Sequence, residues 1–233
     1  MAILALDQGQ TKTNALLLAE NGEILGIGMA GGASHYKDGL AKASAMMQEA
    51  ADNALSLAGL QRTDITQVCG GIAAANWPEE VTMLQEEIKN VFQVENVTVL
   101  NDCVIALRAG TDSDDAIVLC TGSGMNSAVF AGGKLKLVYN NYIDLYDQGS
   151  EGLGARAFQA VFESHMCYKE PTTLEKRLMD HFGIQDMDQL MLAFYKNHLP
   201  RPLKDVAEIV FEEAAHNEPA ALEIIYSFGK SIS

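Results

Sequence analysis

A short polar turn near the N-terminus carries the residue types that can hold a phosphate group. The segment 7–13, DQGQTKT, separates two apolar runs. Gly9 lets the backbone come close to a phosphate, and Thr11, Lys12 and Thr13 supply hydroxyl, ammonium and backbone donors. Asp7 ends the first apolar run, where a carboxylate can hold Mg²⁺ directly or through water. A phosphate-binding turn is the functional interpretation, and a purely structural turn is the alternative.

A second turn of the same kind lies at residues 121–124, TGSG. It follows the apolar run 117–120 and again places small hydroxyls and glycines between two strand-like segments. Two such turns in corresponding positions can clamp a phosphate chain from both sides of a cleft. Two unrelated glycine turns are the alternative interpretation.

The pair Asn101-Asp102 ends a predicted strand and opens a predicted helix over 103–109. Asn and Asp are both preferred helix caps, so a capping role is the simplest interpretation. Only one of the two is needed as a cap, however, and the pair lies between the two turns in the chain. Asp102 is therefore a candidate general base for a substrate hydroxyl.

The elements that must position these residues follow from the hydrophobic pattern. Apolar runs and the Asn21-Gly22 turn signal predict three strands, then helices and strands in alternation. The predicted elements are strands 2–6, 14–19 and 24–29, helix 40–57, strand 68–74, helix 78–92 and strand 97–100. This β-β-β-α-β-α-β order predicts an α/β layer with an antiparallel hairpin at one edge.

A second unit begins near residue 115 and repeats the opening pattern of strand, polar turn and strand. Its predicted strands are 116–120, 126–131 and 134–139, and its predicted helices are 153–165, 172–182, 186–196, 202–215 and 218–230. The repetition indicates two related domains, 1–112 and 113–233, joined near 110–114.

Composition limits the classes of partner. Lys and Arg total 16 against 31 Asp and Glu, which gives a formal charge of −15. Such acidity disfavours nucleic acid and anionic membrane surfaces, because both repel a negative protein. We see no transmembrane segment or signal peptide, and the four scattered cysteines show no metal-binding spacing. These features predict a cytoplasmic protein that binds neither nucleic acid nor membranes, and they leave homodimer formation open.

Five motifs in collinear order resemble the BadF/BadG/BcrA/BcrD-type ATPases. This family includes the N-acetylglucosamine and glucosamine kinases and lies within the actin-hexokinase-Hsp70 superfamily. The motifs cover residues 1–165 and read DQGQTKT, WPEE, VLNDCVIAL, LCTGSG and DQGSEGLGARAF. The resemblance implies an α/β protein with two ribonuclease-H-like, actin-like ATPase domains around a cleft, the second with a largely helical C-terminal part. It also implies ATP and Mg²⁺ as cofactors.

The resemblance implies roles for individual residues. By position, Asp102 matches the family's catalytic aspartate. The implied metal residue is Asp7, and the implied phosphate-binding residues are Gln8, Gly9, Gln10, Thr11, Lys12, Thr13, Thr121, Gly122 and Ser123. The implied sugar-binding residues are Ser34, His35, Asn101 and Asp147. The expected reaction is transfer of the γ-phosphate of ATP to a hydroxyl of N-acetylglucosamine, glucosamine or a related hexose.

Several positions depart from the family pattern. Gln8 and Cys120 stand where glycines are usual, and their larger side chains predict crowding of a phosphate and slower or altered turnover. Ala74 and Asn76 replace a Gly and an Asp, and Ser34 replaces an asparagine of the sugar segment. The Gly-Gly turn that holds adenosine in the superfamily is missing after Gly154. We expect a truncated second domain, and the alternatives are that adenine is held differently or that nucleotide binding is impaired.

Two other functions fit the same motifs. One is an ATPase that activates a dehydratase or reductase, which would carry cysteines for a shared iron–sulfur cluster. The other is a non-catalytic protein that senses a sugar or a nucleotide. Neither the sugar nor the pathway can be identified from the residues.

Overall fold

The computed structural model describes residues 1–122, 124–139 and 149–231. Within these ranges the chain forms two compact units. One comprises residues 1–120 and 126–139, and the other comprises residues 121–122, 124–125 and 149–231. The predicted division at residues 112 and 113 stays a prediction.

The first unit is built on a five-stranded sheet. Its strands are β1 (Ala2–Gln8), β2 (Lys12–Leu18), β3 (Ile24–Gly31), β4 (Ile65–Ile72) and β5 (Asn96–Asn101), in the order β3-β2-β1-β4-β5. β1, β2 and β3 are antiparallel neighbours, whereas β4 runs parallel to both β1 and β5. The carboxyl ends of β1, β4 and β5 therefore meet at one edge, and Gln8, Ile72 and Asn101 lie in one row across it.

Helices cover both faces of this sheet. They are α1 (His35–Asp38), α2 (Leu40–Ala58), α3 (Pro78–Phe92) and α4 (Asp102–Gly110). α2 and α3 pack against the apolar side chains of one face, which include the fully buried Leu4, Leu17 and Val68. α4 lies on the opposite face, where Ile105 would contact any side chain added at Gly71.

Two glycines of β3 let α2 approach the sheet unusually closely. A Cβ atom added at Gly26 would lie 2.3 Å from the carbonyl oxygen of Ala54, and one added at Gly28 would lie 2.0 Å from that of Ala50. Real Cβ atoms do not approach backbone so closely, so strand and helix here are in contact through their backbones.

Most residues of a smaller sheet also belong to the first unit. Its strands are β6 (Ala116–Thr121), β7 (Met125–Ala131) and β8 (Lys134–Val138), in that order. Cys103, Val104 and Leu107 of α4 pack against Ala128 and Val138 of this sheet. α4 is therefore held by apolar contacts with the smaller sheet as well as by the larger one.

In residues 149–231 the second unit consists of helices and the segments that connect them. It contains α5 (Gly149–His165), α6 (Leu174–Phe182), α7 (Met187–Tyr195), α8 (Val206–Ala215) and α9 (Pro219–Ser231), with a 3-10 turn at Leu203–Asp205. Phe158 is fully buried at its centre and stacks on Phe194 with ring centroids 4.3 Å apart. In the described ranges, no helix combines the length and apolar character that crossing a membrane requires.

Candidate active site

Asp7 projects from the sheet edge where β1, β4 and β5 end. Its neighbours across the sheet are Asn14 on β2 and Gly71 on β4. The Nδ2 atom of Asn14 donates to its Oδ2 atom at 3.3 Å. Asp7 alternates with the buried residues Leu6 and Gln8, so its side chain lies on the opposite face of the sheet from theirs, the face that α4 covers. The carboxylate is exposed and retains an oxygen for a further ligand.

Asp102 is the first residue of α4 and is only partly exposed. Burial is the main cause that raises the pKa of its carboxyl above the ordinary 3.8, and the negative charge of Asp7 raises it further. The backbone N–H of Cys103 donates to Oδ1 at 2.9 Å and offsets part of this rise. The two carboxylates are thus close enough to repel each other, and Asp102 is a stronger base than a solvated aspartate.

The thiol of Cys103 lies in the same low-dielectric surroundings. Burial raises its pKa to about 12, with smaller contributions from Asp102 and Cys120. Because the thiolate is the reactive form, this cysteine is expected to be inert at neutral pH.

In the folded protein, iodoacetamide at pH 8 should alkylate the exposed Cys167 and leave Cys103 unmodified until denaturant is added. Peptide mass spectrometry with and without denaturant measures this, and early labelling of Cys103 would contradict it.

The first turn is shorter than the seven residues of its motif. β1 continues to Gln8 and β2 begins at Lys12, so Gly9, Gln10 and Thr11 alone connect them. The N–H of Gly9 donates to the carbonyl of Lys12 at 2.9 Å and closes the turn. Gln10, Thr11 and Lys12 are exposed there, which is what donors to an incoming phosphate require.

Gln8 and Thr13 flank this turn but direct their side chains inward. Gln8 is fully buried, and its Nε2 atom donates to the carbonyl of Ala43 on α2 at 2.7 Å. Thr13 is equally buried and donates from Oγ1 to the carbonyl of Gly31 at 2.9 Å. The expected crowding by Gln8 therefore has no basis in its side chain, which occupies the core beneath α2. A phosphate-binding role of these two residues stays a prediction and would have to use their backbone.

Gly32 supports the first turn. The family resemblance places it at the start of the sugar-contacting segment 32–36, but the sequence patterns did not indicate its contact with the turn. A Cβ atom added there would lie 2.3 Å from both the carbonyl carbon and the carbonyl oxygen of Gln10 and 2.4 Å from the carbonyl carbon of Thr11. The chain after β3 therefore lies directly against the turn. The Gly31-Gly32 pair was the available signal, since adjacent glycines often mark close backbone approach.

The second turn belongs to the helical unit and adjoins the start of α5. The N–H of Gly122 donates to the carbonyl of Gly124 at 2.8 Å, and the N–H of Ser150 donates to the carbonyl of Gly122, also at 2.8 Å. Thr121 and Gly122 are exposed. Helix N-termini favour anions, so this position suits a phosphate. The predicted site residues Ser123 and Asp147 lie outside the described residues.

The predicted sugar segment is held by α1 and by the start of α3. Ser34 is buried, and its Oγ atom accepts from the N–H of Tyr36 at 3.2 Å. The His35 side chain is only 6% exposed, and its Nε2 atom lies 3.6 Å from Oε1 of Glu80. Among the described residues, neither imidazole nitrogen of His35 has a hydrogen-bond partner. Their role in sugar binding stays a prediction.

Glu80 links this segment to the loop after β4. Its Oε2 atom accepts from the backbone N–H of Asn76 at 2.8 Å and of Trp77 at 2.9 Å. It thereby caps α3, which has Pro78 at its first position. The WPEE motif was recognised in the sequence, but the role of its second glutamate in capping α3 beside His35 was not.

Asn101 lies beside Asp102 and uses most of its hydrogen-bonding capacity within the first unit. Its Oδ1 atom accepts from the N–H of Cys103 and from Nδ2 of Asn126, both at 3.0 Å. Its Nδ2 atom donates to Oδ1 of Asn76 at 2.8 Å. Asn101 therefore caps α4 and joins it to β7 and to the loop after β4. Its predicted contact with a sugar remains untested.

The acidic edge could supply only part of a metal shell. Within the described ranges, no group of three or more His, Cys, Asp or Glu side chains is arranged to hold a metal ion. Asp7 offers carboxylate oxygens, which Mg²⁺ prefers, and a cation there would offset its repulsion of Asp102. The arrangement suits a Mg²⁺ ion that receives its remaining ligands from water and phosphate.

The sheet order, the polar turn after β1 and the aspartate at the start of α4 define a protein of the actin-like ATPase fold. The chain belongs to the BadF/BadG/BcrA/BcrD ATPase family, whose sequence pattern matches residues 4–233. The resemblance and the α/β fold class predicted from the motifs are thereby confirmed.

Three relatives illustrate the similarity. The chain is 24% identical over 223 residues to a glucosamine kinase of Vibrio cholerae, covering 95% of this chain and 74% of that protein. It is 21% identical over 216 residues to an N-acetylmuramic acid/N-acetylglucosamine kinase of Clostridium acetobutylicum, covering 89% and 68%. The crystal structure of a proposed N-acetylglucosamine kinase of Porphyromonas gingivalis matches with a TM-score of 0.69 at 22% identity, covering 97% and 77%.

Proposed function

We propose that this protein is an ATP-dependent sugar kinase that acts on N-acetylglucosamine, glucosamine or a related hexose. One observation carries the proposal: the partly buried Asp102 opens α4 directly after β5, at the edge where the parallel strands end, and interacts electrostatically with Asp7. Family membership supports ATP as the phosphoryl donor, and the names of the relatives support an amino sugar as the acceptor.

In this mechanism Asp102 accepts the proton of the attacking sugar hydroxyl. A base is most effective when its pKa lies close to the working pH, and burial moves Asp102 in that direction. The exposed residues Gln10, Thr11 and Lys12 would donate to the phosphates, as would Thr121 and Gly122. Ser34 and His35 would orient the sugar, and Asp7 would hold Mg²⁺. A Mg²⁺ ion held there would supply positive charge that offsets the negative charge of the transferred phosphoryl group.

An assay of ATP consumption over a panel of hexoses and amino sugars tests the proposal. We expect turnover that depends on one or more of these sugars and on added Mg²⁺. ATP hydrolysis that proceeds equally without sugar would contradict the kinase and favour an ATPase activator. Absence of nucleotide binding by calorimetry would favour a sensor. Homodimer formation stays open, and the cytoplasmic location stays a prediction, for separate measurement.

The substitution Gly32→Ala tests the first turn as a phosphate site. The added methyl group must displace the backbone of Gln10 and Thr11, so we expect the KM for ATP to rise about tenfold or more while the KM for sugar changes little. The matched control is Gly31→Ala, because a Cβ atom there meets only the flexible Met46 side chain, at 3.2 Å. An unchanged KM for ATP in Gly32→Ala would remove the turn from the nucleotide site.

A further inference from the structure

Protein groups bury Asn101 and use most of its hydrogen-bonding capacity. An asparagine amide offers two N–H donors and one carbonyl oxygen with two acceptor sites. Both acceptor sites are used, by the N–H of Cys103 and by Asn126, and one donor is used by Asn76. The residue is only 5% exposed. At most one N–H remains for a sugar.

The partners of Asn101 come from three separate segments of the first unit. Asn76 lies in the loop between β4 and α3, where Glu80 also holds its backbone N–H. Asn126 is the second residue of β7. Cys103 belongs to the first turn of α4, which Asp102 begins. The side chain of Asn101 therefore joins the loop before α3, the smaller sheet and the start of α4 at a single point.

The orientation of Asp102 depends on the hydrogen bonds that Asn101 makes at the start of α4. Its Oδ1 atom accepts from the same Cys103 N–H that donates to Asn101, at 2.9 Å and 3.0 Å respectively. Shifting the start of α4 would therefore move the carboxylate directly. Displacements of about 1 Å in a catalytic group can cost on the order of 100-fold in rate.

We propose that Asn101 is a positioning residue that fixes Asp102 through the Asn76–Asn101–Asn126 network, rather than a residue that binds the sugar. The proposal rests on the proposed function, because Asp102 must be the base. It also gives Asn76, where the family pattern has an aspartate, a role in the site. Asparagine here supplies the carbonyl that accepts from Asn101 without adding a third negative charge near Asp102 and Asp7.

Steady-state kinetics of Asn101→Ala test the proposal. We expect kcat to fall about 10- to 100-fold while the KM for sugar stays within about twofold, because the base is misplaced but no sugar contact is lost. Asn101→Ser keeps an oxygen that can cap Cys103 and should recover part of kcat. Asn76→Ala should lower kcat in the wild-type background and add little in the Asn101→Ala background. A tenfold rise in the KM for sugar with kcat unchanged would overturn the proposal.

A second measurement does not depend on activity. Hydrogen exchange of the Cys103 amide can be followed by nuclear magnetic resonance, and Asn101→Ala should speed it because this N–H loses one of its two acceptors at the start of α4. An unchanged exchange rate would overturn the positioning role even if the protein had no kinase activity. Failure of the proposed function would be seen separately, as sugar-dependent turnover that is absent from the wild type or retained in Asp102→Asn.

The matched control is Asp186→Ala. Asp186 caps α7 in the helical unit, where its Oδ1 atom accepts from the N–H of Gln189 at 2.8 Å. Removing it costs a helix cap of the same kind without touching the network. It should change neither kcat nor the hydrogen exchange of the Cys103 amide, and parallel changes in both variants would reduce the effect of Asn101 to general destabilisation and overturn the proposal.

Discussion

The variant Asp102→Asn is expected to lose sugar-dependent ATP turnover by a factor of about 10² to 10⁴, which is the usual contribution of a general base. The amide cannot accept the proton of the sugar hydroxyl, although its oxygen can still accept from the N–H of Cys103. The coupled assay of ATP consumption at saturating sugar measures this. As the pH is lowered, turnover of the wild type should begin to decline at a pH above the usual pKa of an aspartate. The reason is that the raised pKa lets Asp102 become protonated at a higher pH.

The same variant should be more stable than the wild type at neutral pH. The folded-state pKa of Asp102 is raised, so the folded protein binds this proton more tightly than the unfolded chain does. Stability therefore falls as pH rises from 3.8 through the raised value, and the amide avoids that loss. The gain in melting temperature should shrink as pH is lowered toward 3.8. Asp112→Asn, at an exposed position, is the control and should alter neither property.

The variant Gln8→Gly is expected to destabilise the protein by about 2–5 kcal/mol without accelerating turnover. It would introduce the residue that is usual in the family, but it would also remove a fully buried side chain and the hydrogen bond to Ala43. Glycine within a strand adds a backbone entropy cost of about 0.5–1 kcal/mol. Urea denaturation monitored by circular dichroism measures the loss.

Two further variants distinguish the possible causes of the stability lost in Gln8→Gly. Gln10→Gly makes the same replacement at an exposed position of the neighbouring turn and should change stability by less than about 1 kcal/mol, close to the backbone cost alone. Gln8→Leu keeps most of the volume and should recover part of the stability, since the Oε1 atom of Gln8 is itself buried without a hydrogen-bond partner in the described structure. Faster turnover in Gln8→Gly at unchanged stability would instead show that the wild-type side chain crowds the phosphate.

The order of elements could be predicted because each has a strong local signal. The periodicity of α2, Pro78 at the start of α3 and the Asn21-Gly22 turn are all properties of a few neighbouring residues, and they placed these elements to within a few positions. Boundaries that depend on pairing could not be predicted as well. β1 and β2 extend to Gln8 and Lys12 because Gln8 pairs with Thr13 across the hairpin, which no local pattern reveals.

The residues of the candidate site also fall into two groups, those that a local sequence pattern can locate and those that it cannot. Asp7 and Asp102 stand at strand ends, so a sequence pattern can locate them, and the structure brings them within electrostatic range of each other. The contacts of Asn101 with Asn76 and Asn126 each span 25 positions along the chain. Nothing in the residue types of these asparagines indicates that they meet. The direction of the Gln8 side chain likewise depends on which face of the sheet α2 covers.

The backbone contact between β3 and α2 has a consequence for how this protein can vary in evolution. Where side chains separate a helix from a sheet, one substitution can be compensated by another of complementary size. At Gly26 and Gly28 the carbonyl oxygens of Ala54 and Ala50 occupy the space that any Cβ atom would need. No change in a neighbouring side chain can restore that space, so these two positions are closed to substitution.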